Sequence, residues 1–128
     1  MKYITAILLT ILSGFGGYSQ QVPDTITGNW LNVPKETMTI HVYRSNKGFS
    51  GKIVSVTDKA KSNTIGFVII EGLTYNAKTG GWENGKIHNP NNNTTYNASA
   101  KIKADGMLEI RGYGAVKFIG AKRNFRRT

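Results

Sequence analysis

Few side chains in this sequence are of the types that carry out catalysis or hold a metal ion. There are two histidines, His41 and His88, seven scattered carboxylates and no cysteine. A zinc site usually needs three or four His, Cys or carboxylate ligands at close spacing, and that spacing does not occur. Ser50 or Ser99 could meet a histidine as nucleophile and base, but no nucleophile-elbow or oxyanion motif accompanies either. The sequence therefore predicts no metal, no cofactor and no catalytic residue.

Aromatic and basic side chains point to binding instead. Trp82, Tyr96 and Tyr113 are large enough either to line an apolar cavity or to fill a solid core. Arg111 precedes a glycine-flanked corner that would bring it near a cavity mouth, where an arginine binds a carboxylate or phosphate through a bidentate fork. The alternative is that it pairs with surface charges. The predicted ligand-binding residues are Trp82, Tyr96, Arg111, Tyr113 and His88.

Short strands are the elements that must position these side chains. Apolar and polar residues alternate along 37–44 and 95–103, and this period of two is typical of half-buried strands. Asp105 and Gly106 form a strong hairpin turn signal between two such segments. The whole pattern predicts about eight strands and no convincing helix. The predicted strands are 28–33, 37–44, 49–56, 65–73, 82–88, 95–103, 107–112 and 115–127.

Some of these segments allow finer predictions. Asn84 and Gly85 suit a type I′ turn, so residues 82–88 are interpreted as a short hairpin or a bent segment. Residues 57–63 are predicted as a polar loop. Alternation turns one set of side chains inward: Tyr96, Ala98, Ala100 and Ile102 in one strand, and Arg123, Phe125 and Arg127 in the last.

An all-antiparallel meander of this size must hide its edge strands. Closure into an up-and-down β-barrel does so, and an eight-stranded barrel either is filled by side chains or holds one small ligand. A two-sheet sandwich is the alternative. The hairpin-by-hairpin connectivity favours the barrel, so the predicted fold class is all-β, an antiparallel up-and-down barrel.

The first and last predicted strands resemble those of the calycin superfamily, which includes the lipocalins. The first strand opens with Gly28-Asn29-Trp30, and the last ends in Arg126-Arg127. In that superfamily the tryptophan plugs one end of the barrel and an arginine lies over it, an arrangement that a cation–π contact stabilises. The resemblance implies that Trp30 and Arg127 close the barrel.

Further motifs occur in a fixed order along the chain. They are Gly51-Lys52-Ile53-Val54, Gly85-Lys86-Ile87-His88-Asn89-Pro90, Thr95-Tyr96, Leu108-Glu109-Ile110-Arg111-Gly112, Gly120 and Phe125-Arg126-Arg127. With the first-strand motif, they make residues 27–128 similar to the bacterial domain-of-unknown-function family 2147. The resemblance implies a lipocalin-like barrel in the bacterial envelope and no established activity.

The chain departs from that family pattern at three places. His88 and Asn89 stand where an aromatic residue and an aspartate are usual, Asn93 replaces a glycine, and Phe125 replaces a tryptophan. Asn89 removes a carboxylate from its loop, which argues against a role that needs a negative charge there.

The N-terminus has the pattern of a secretory signal peptide. Lys2 precedes an apolar run over 4–12, and the small residues Gly17 and Ser19 have the spacing that a signal peptidase recognises. The run is too short for a membrane-spanning helix, which needs about 20 residues. We expect a signal peptide over 1–19, a polar lead-in over 20–27 and a single lipocalin-like domain over 28–128. With no cysteine to carry a lipid anchor, the product is expected to be soluble and exported, periplasmic or secreted.

Charge suggests a second type of partner. The formal net charge is +10, which attracts anionic surfaces such as envelope polymers. Nucleic acid is not expected as a partner of an exported protein. The leading hypothesis is a non-enzymatic barrel that binds a small apolar or amphiphilic molecule. The alternative is a packed barrel that docks on anionic polymers or a protein partner through its basic surface.

Overall fold

The computed structural model describes residues 23–114 and 121–128. The expected signal peptide over 1–19, the start of the lead-in and the first part of the predicted last strand therefore lie outside the described residues. Within the described ranges, no helix is both long enough and apolar enough to cross a bilayer.

Eight antiparallel strands form a closed barrel in which each strand pairs with its neighbours in sequence and the last pairs with the first. The sequence prediction of an all-β up-and-down barrel is thus confirmed, and the sandwich alternative is wrong. The closing pair runs from Trp30 opposite Arg127 to Val33 opposite Asn124. The strands are β1 (Gly28–Val33), β2 (Met38–Ser45), β3 (Gly48–Val56), β4 (Val68–Asn76), β5 (Gly81–His88), β6 (Thr95–Ile102), β7 (Leu108–Tyr113) and β8 (Ala121–Arg127).

Of the two interpretations of residues 82–88, the hairpin is wrong, because this segment is the single strand β5, paired on both sides. The bent segment agrees with the irregularity that this strand contains. Trp82 lies opposite Tyr75 of β4 and Ala100 of β6. Asn84 has a φ of 64°, and the register with β6 shifts between Trp82 and Gly85. The left-handed residue therefore makes a β-bulge rather than a turn.

A short 3₁₀ helix, Lys59–Thr64, replaces part of the predicted loop between β3 and β4. Asp58 caps it, since its side-chain Oδ1 accepts a hydrogen bond from the backbone N–H of Ala60 at 2.9 Å. Such a cap satisfies one of the backbone donors that a helix start leaves without a partner. The helix is exposed and packs against the end of β3.

The barrel has two distinct ends because its strands alternate in direction. We call the end where β1 begins and β8 finishes the closed end. We call the other the open end; the connections β1–β2, β3–β4 and β5–β6 lie there. Toward the closed end the core is filled by aromatic rings: those of Phe49 and Tyr75 contact the Trp82 ring edge to face, with ring centroids 6.5 and 5.3 Å from it. A ligand is therefore expected to enter the barrel at the open end.

Candidate functional site

The closed end is sealed by the two residues that the calycin resemblance pairs. The guanidinium carbon of Arg127 lies 4.1 Å from the centroid of the Trp30 ring. Arg127 also donates hydrogen bonds from Nη1 to the carbonyl oxygen of Thr27 at 2.8 Å and from Nη2 to that of Thr25 at 2.6 Å. The Trp30 indole N–H donates to the carbonyl oxygen of Ile26 at 2.9 Å. One arginine thus joins the last strand, the first strand and the segment before it.

The segment before β1 belongs to this seal, although the sequence suggested only a polar lead-in. Ile26 is fully buried, and the Thr27 N–H closes a turn onto the Asp24 carbonyl oxygen at 2.9 Å. Gly28 has a φ of 123°, and a Cβ there would lie 2.8 Å from Nη1 of Arg127. Glycine at this position therefore makes room for the arginine.

The open half of the barrel contains a cavity of about 300 Å³. Its wall is largely apolar, and Gly112 widens it because a Cβ there would approach the Ile87 side chain to 3.3 Å. Bulky residues from six strands converge on the space: Met38, Ile69, Ile87, Tyr96, Ile110 and Phe125. We call this space the apolar cavity. A volume near 300 Å³ is at the lower end of the range for small-molecule sites, roughly 300–1,000 Å³.

Arg123 is the basic residue of the apolar cavity wall that is best placed to hold an anion. Its Nη1 donates to the carbonyl oxygen of Lys122 at 3.1 Å. No carboxylate of the described residues lies within ion-pair distance of it; the described pairs are Glu71 with His88 and Glu36 with Arg126. A guanidinium without a carboxylate partner at the edge of an apolar space can take a carboxylate or phosphate from a ligand.

His88 also contributes to the wall, but its ring nitrogens are already engaged. Nδ1 lies 2.9 Å from the Thr95 hydroxyl, and Nε2 lies 3.2 Å from a Glu71 carboxylate oxygen. These contacts fix the imidazole at the end of β5. His88 is therefore better suited to support the mouth of the apolar cavity than to bind a ligand directly.

Asparagines shape the rim of the same cavity. The Asn32 Oδ1 accepts hydrogen bonds from the backbone N–H groups of Thr37 and Met38, at 2.7 and 2.8 Å. The Asn89 Oδ1 accepts from the Asn91 N–H at 2.8 Å, a turn contact that an aspartate oxygen would also make. Asn93 has a φ of 63°. The two family departures in this loop thus preserve the turn, since asparagine tolerates the left-handed conformation.

The structure brings together only two of the five predicted binding residues, Tyr96 and His88, in the wall of the apolar cavity. Trp82 is 3% exposed and lies in the core instead. Arg111 alternates with Ile110 and Gly112, which line the cavity, so it projects from the outer face. Tyr113 shares that face and is 39% exposed.

Arg123 was absent from the predicted binding set, although a signal for it was present. Alternation along the last strand had already turned it inward with Phe125, and both line the apolar cavity. The same alternation, applied to β7, would have placed Arg111 outside.

A second space, the polar cleft, adjoins the apolar cavity at the open end and encloses about 310 Å³. Residues of the β1–β2 connection and of the 3₁₀ helix form much of its wall. The cleft is named for its polar and charged lining residues Lys35, Thr37, Asp58, Lys61 and Thr64, which lie beside the apolar side chains of Met38, Ile53 and Val56. The two spaces have four lining residues in common: Asn32, Met38, Pro90 and Asn91. The apolar cavity and the polar cleft therefore adjoin each other at the open end of the barrel.

The described residues contain no group of three or more His, Asp or Glu side chains that could hold a metal ion. The arrangement at the open end is instead suited to a non-covalent ligand with an apolar part and an anionic part.

Comparisons with known proteins agree with this geometry. The sequence model of a family described as "Uncharacterized protein conserved in bacteria (DUF2147)" matches residues 28–127. Protein HP1028 from Helicobacter pylori, described as belonging to the lipocalin family, has a similar structure. The match has a TM-score of 0.63 at 17% identity and covers 84% of each chain, and at that identity it shows the fold alone. A comparison with curated proteins found no match.

Proposed function

This chain belongs to the bacterial DUF2147 family, and from its lipocalin-like barrel we propose that it binds a small apolar or amphiphilic molecule in the apolar cavity. The observation that carries the proposal is a space of about 300 Å³ walled mainly by apolar side chains. Removing apolar surface from water stabilises such a complex by about 25 cal/mol per Å². The role is one of binding, without catalysis.

Arg123 specifies which amphiphiles are preferred. An acyl chain in the apolar cavity would leave its polar end near the guanidinium, where a carboxylate can form charge-assisted hydrogen bonds. We therefore propose an acidic rather than a neutral ligand.

Replacing Arg123 by alanine is expected to weaken the binding of laurate by about 0.5–1.5 kcal/mol, because the Arg123 side chain is exposed and a solvent-exposed charge pair is weaker than a buried one. Binding of the neutral 1-lauroylglycerol is expected to change little, because its head carries no charge. Isothermal titration calorimetry with both probes measures the difference.

Arg111→Ala is the matched control, since Arg111 lies on the neighbouring strand but projects outward. It should leave both affinities near those of the unmodified protein. If Arg111→Ala weakens laurate binding and Arg123→Ala does not, Arg123 is not the residue that holds the acid. If neither probe binds at all, the proposed function is wrong.

We further propose that the protein is exported. Sequencing of the N-terminus of the protein from the periplasmic or secreted fraction is expected to begin at Gln20 or next to it, because Gly17 and Ser19 supply the small residues that precede a cleavage site. An exported protein that still begins at Met1 would contradict this.

The alternative of docking through the basic surface has less support. Part of that surface is already paired: Arg126 contacts the Glu36 carboxylate at 3.2 Å, and the Lys103 ammonium donates to the Asn124 side chain at 3.2 Å. A packed barrel would also leave no apolar cavity of the volume found. Retention on anionic vesicles with release by moderate salt, in the absence of ligand binding, would favour docking.

A further inference from the structure

The polar cleft at the open end carries positive charge that the proposed function does not use. Lys35 reaches it from the β1–β2 connection, and Lys61 reaches it from the 3₁₀ helix. Two lysine side chains from different elements of the fold thus line one space. Both lysines are exposed, and what they share is the lining of one concave space.

The balance of charge in the polar cleft favours an anion. Among the described residues, neither Lys35 nor Lys61 forms a side-chain hydrogen bond or an ion pair. Asp58 is the carboxylate of the cleft wall, and one of its oxygens caps the 3₁₀ helix. Two cations therefore face one partly engaged anion, which leaves a positive potential in a concave space.

We propose that the polar cleft binds the phosphate of a single-chain phospho-amphiphile whose acyl chain occupies the apolar cavity. This inference rests on the proposed function and names its ligand class. A carboxylate sits directly at the end of an acyl chain and would stop at Arg123. Asn32 and Asn91 line both spaces, so an anion in the polar cleft lies beyond them from the acyl chain in the apolar cavity. Such an anion must be connected to the acyl chain by a polar linker, as in glycerol phosphate.

Phosphate also matches the number of cations. A phosphate monoester carries about −1.5 to −2 charges at neutral pH and has three strong acceptor oxygens. Two flexible lysines can satisfy such a group together, whereas a monoanionic carboxylate at Arg123 has no need of them.

The test compares four probes by isothermal titration calorimetry: 1-lauroylglycerol 3-phosphate, 1-lauroylglycerol, laurate and glycerol 3-phosphate. The double variant Lys35→Gln/Lys61→Gln is expected to lose about ten- to hundredfold in affinity for 1-lauroylglycerol 3-phosphate. Its affinity for 1-lauroylglycerol and laurate should stay within about twofold, a negligible free-energy difference.

Lys47→Gln/Lys59→Gln is the matched control. It removes the same charge from two other exposed positions, and Lys59 lies on the same 3₁₀ helix as Lys61 but outside the cleft wall. Thermal unfolding of both double variants checks that the barrel is intact. Equal losses of phosphate affinity in the two double variants would show a diffuse surface effect and overturn the inference.

The other outcomes separate the inference from the function on which it rests. Binding of laurate and 1-lauroylglycerol without any preference for the phosphate probe overturns the inference alone. If glycerol 3-phosphate binds as tightly as its lauroyl ester, the acyl chain contributes nothing to the affinity. The cleft is then a site for a free phosphate ester, and the inference is overturned. Failure of laurate and both lauroylglycerol probes to bind overturns the proposed function and the inference with it.

Discussion

Replacing Trp30 by alanine is expected to lower the free energy of unfolding by about 3–5 kcal/mol, as for other fully buried large aromatic residues. The Trp30 side chain is completely buried, and its indole N–H satisfies the carbonyl oxygen of Ile26. The alanine variant leaves a cavity under the Arg127 guanidinium and an acceptor without its partner. Chemical denaturation with urea measures the loss.

Arg127→Ala tests whether this residue and Trp30 act as one closure. It should cost less than Trp30→Ala, and the double variant should be less destabilised than the sum of the two, because both single changes remove the contact at 4.1 Å. Arg126→Ala is the control on the same strand; its exposed pair with Glu36 is worth about 1 kcal/mol or less, and its effect should add to that of Trp30→Ala. Additive losses for Trp30 and Arg127 would rule out the shared closure.

Gly48→Ala is the second substitution with a large expected effect. Gly48 has a φ of 118°, and a Cβ there would overlap the carbonyl oxygen of Leu73 on the neighbouring strand. Backbone strain of about 1–3 kcal/mol adds to an overpacking cost of about 1–3 kcal/mol. We therefore expect a loss of about 2–6 kcal/mol in the free energy of unfolding.

Gly106→Ala separates the two contributions. Gly106 also has a positive φ, 85°, but a Cβ there would meet no heavy atom within 4 Å. Its cost should be the backbone strain alone, about 1–3 kcal/mol. Equal denaturation midpoints for the two variants would mean that the clash with Leu73 is relieved at no cost.

The sequence predicted the strands well where one face is buried and the other is exposed. In β6 the inward alternation of Ala98 and Ala100 appears as burial flanked by more exposed residues, because a half-buried strand imposes a period of two on its residues. The closure residues were predicted for a different reason: the resemblance to the calycin superfamily pairs a first-strand tryptophan with an arginine near the end of the last strand, and the structure pairs Trp30 with Arg127 on those two strands.

The hairpin interpretation failed at Asn84, because the Asn-Gly turn rule considers two residues alone and the pairing of β5 with both neighbouring strands decides the conformation there. Asn-Gly fits a tight turn when the chain must reverse. Here two neighbouring strands pair with β5 on either side, so the same left-handed residue forms a bulge. Which strand flanks which is information from the whole sheet rather than from two residues.

The candidate site was only partly predictable from the sequence. Alternation fixes the direction of a side chain in a regular strand, so Arg123 was within reach of sequence reasoning. The polar cleft was not, because Lys35 and Lys61 are brought together by the path of two connections. No periodicity relates residues in such segments.

The hydrogen bond from Arg127 to the carbonyl oxygen of Thr27 spans 100 positions of the chain, and this separation has a consequence for the order of folding. Synthesis begins at the N-terminus, so β1 exists long before the strand that it must pair with. Until β8 is complete, the chain is an open sheet with two exposed edges, which readily pair with other chains. Such long-range closure is intrinsically slow. Barrel formation is therefore expected to wait until β8 has been synthesised and released from the ribosome, and until then the chain remains without its closing strand pair.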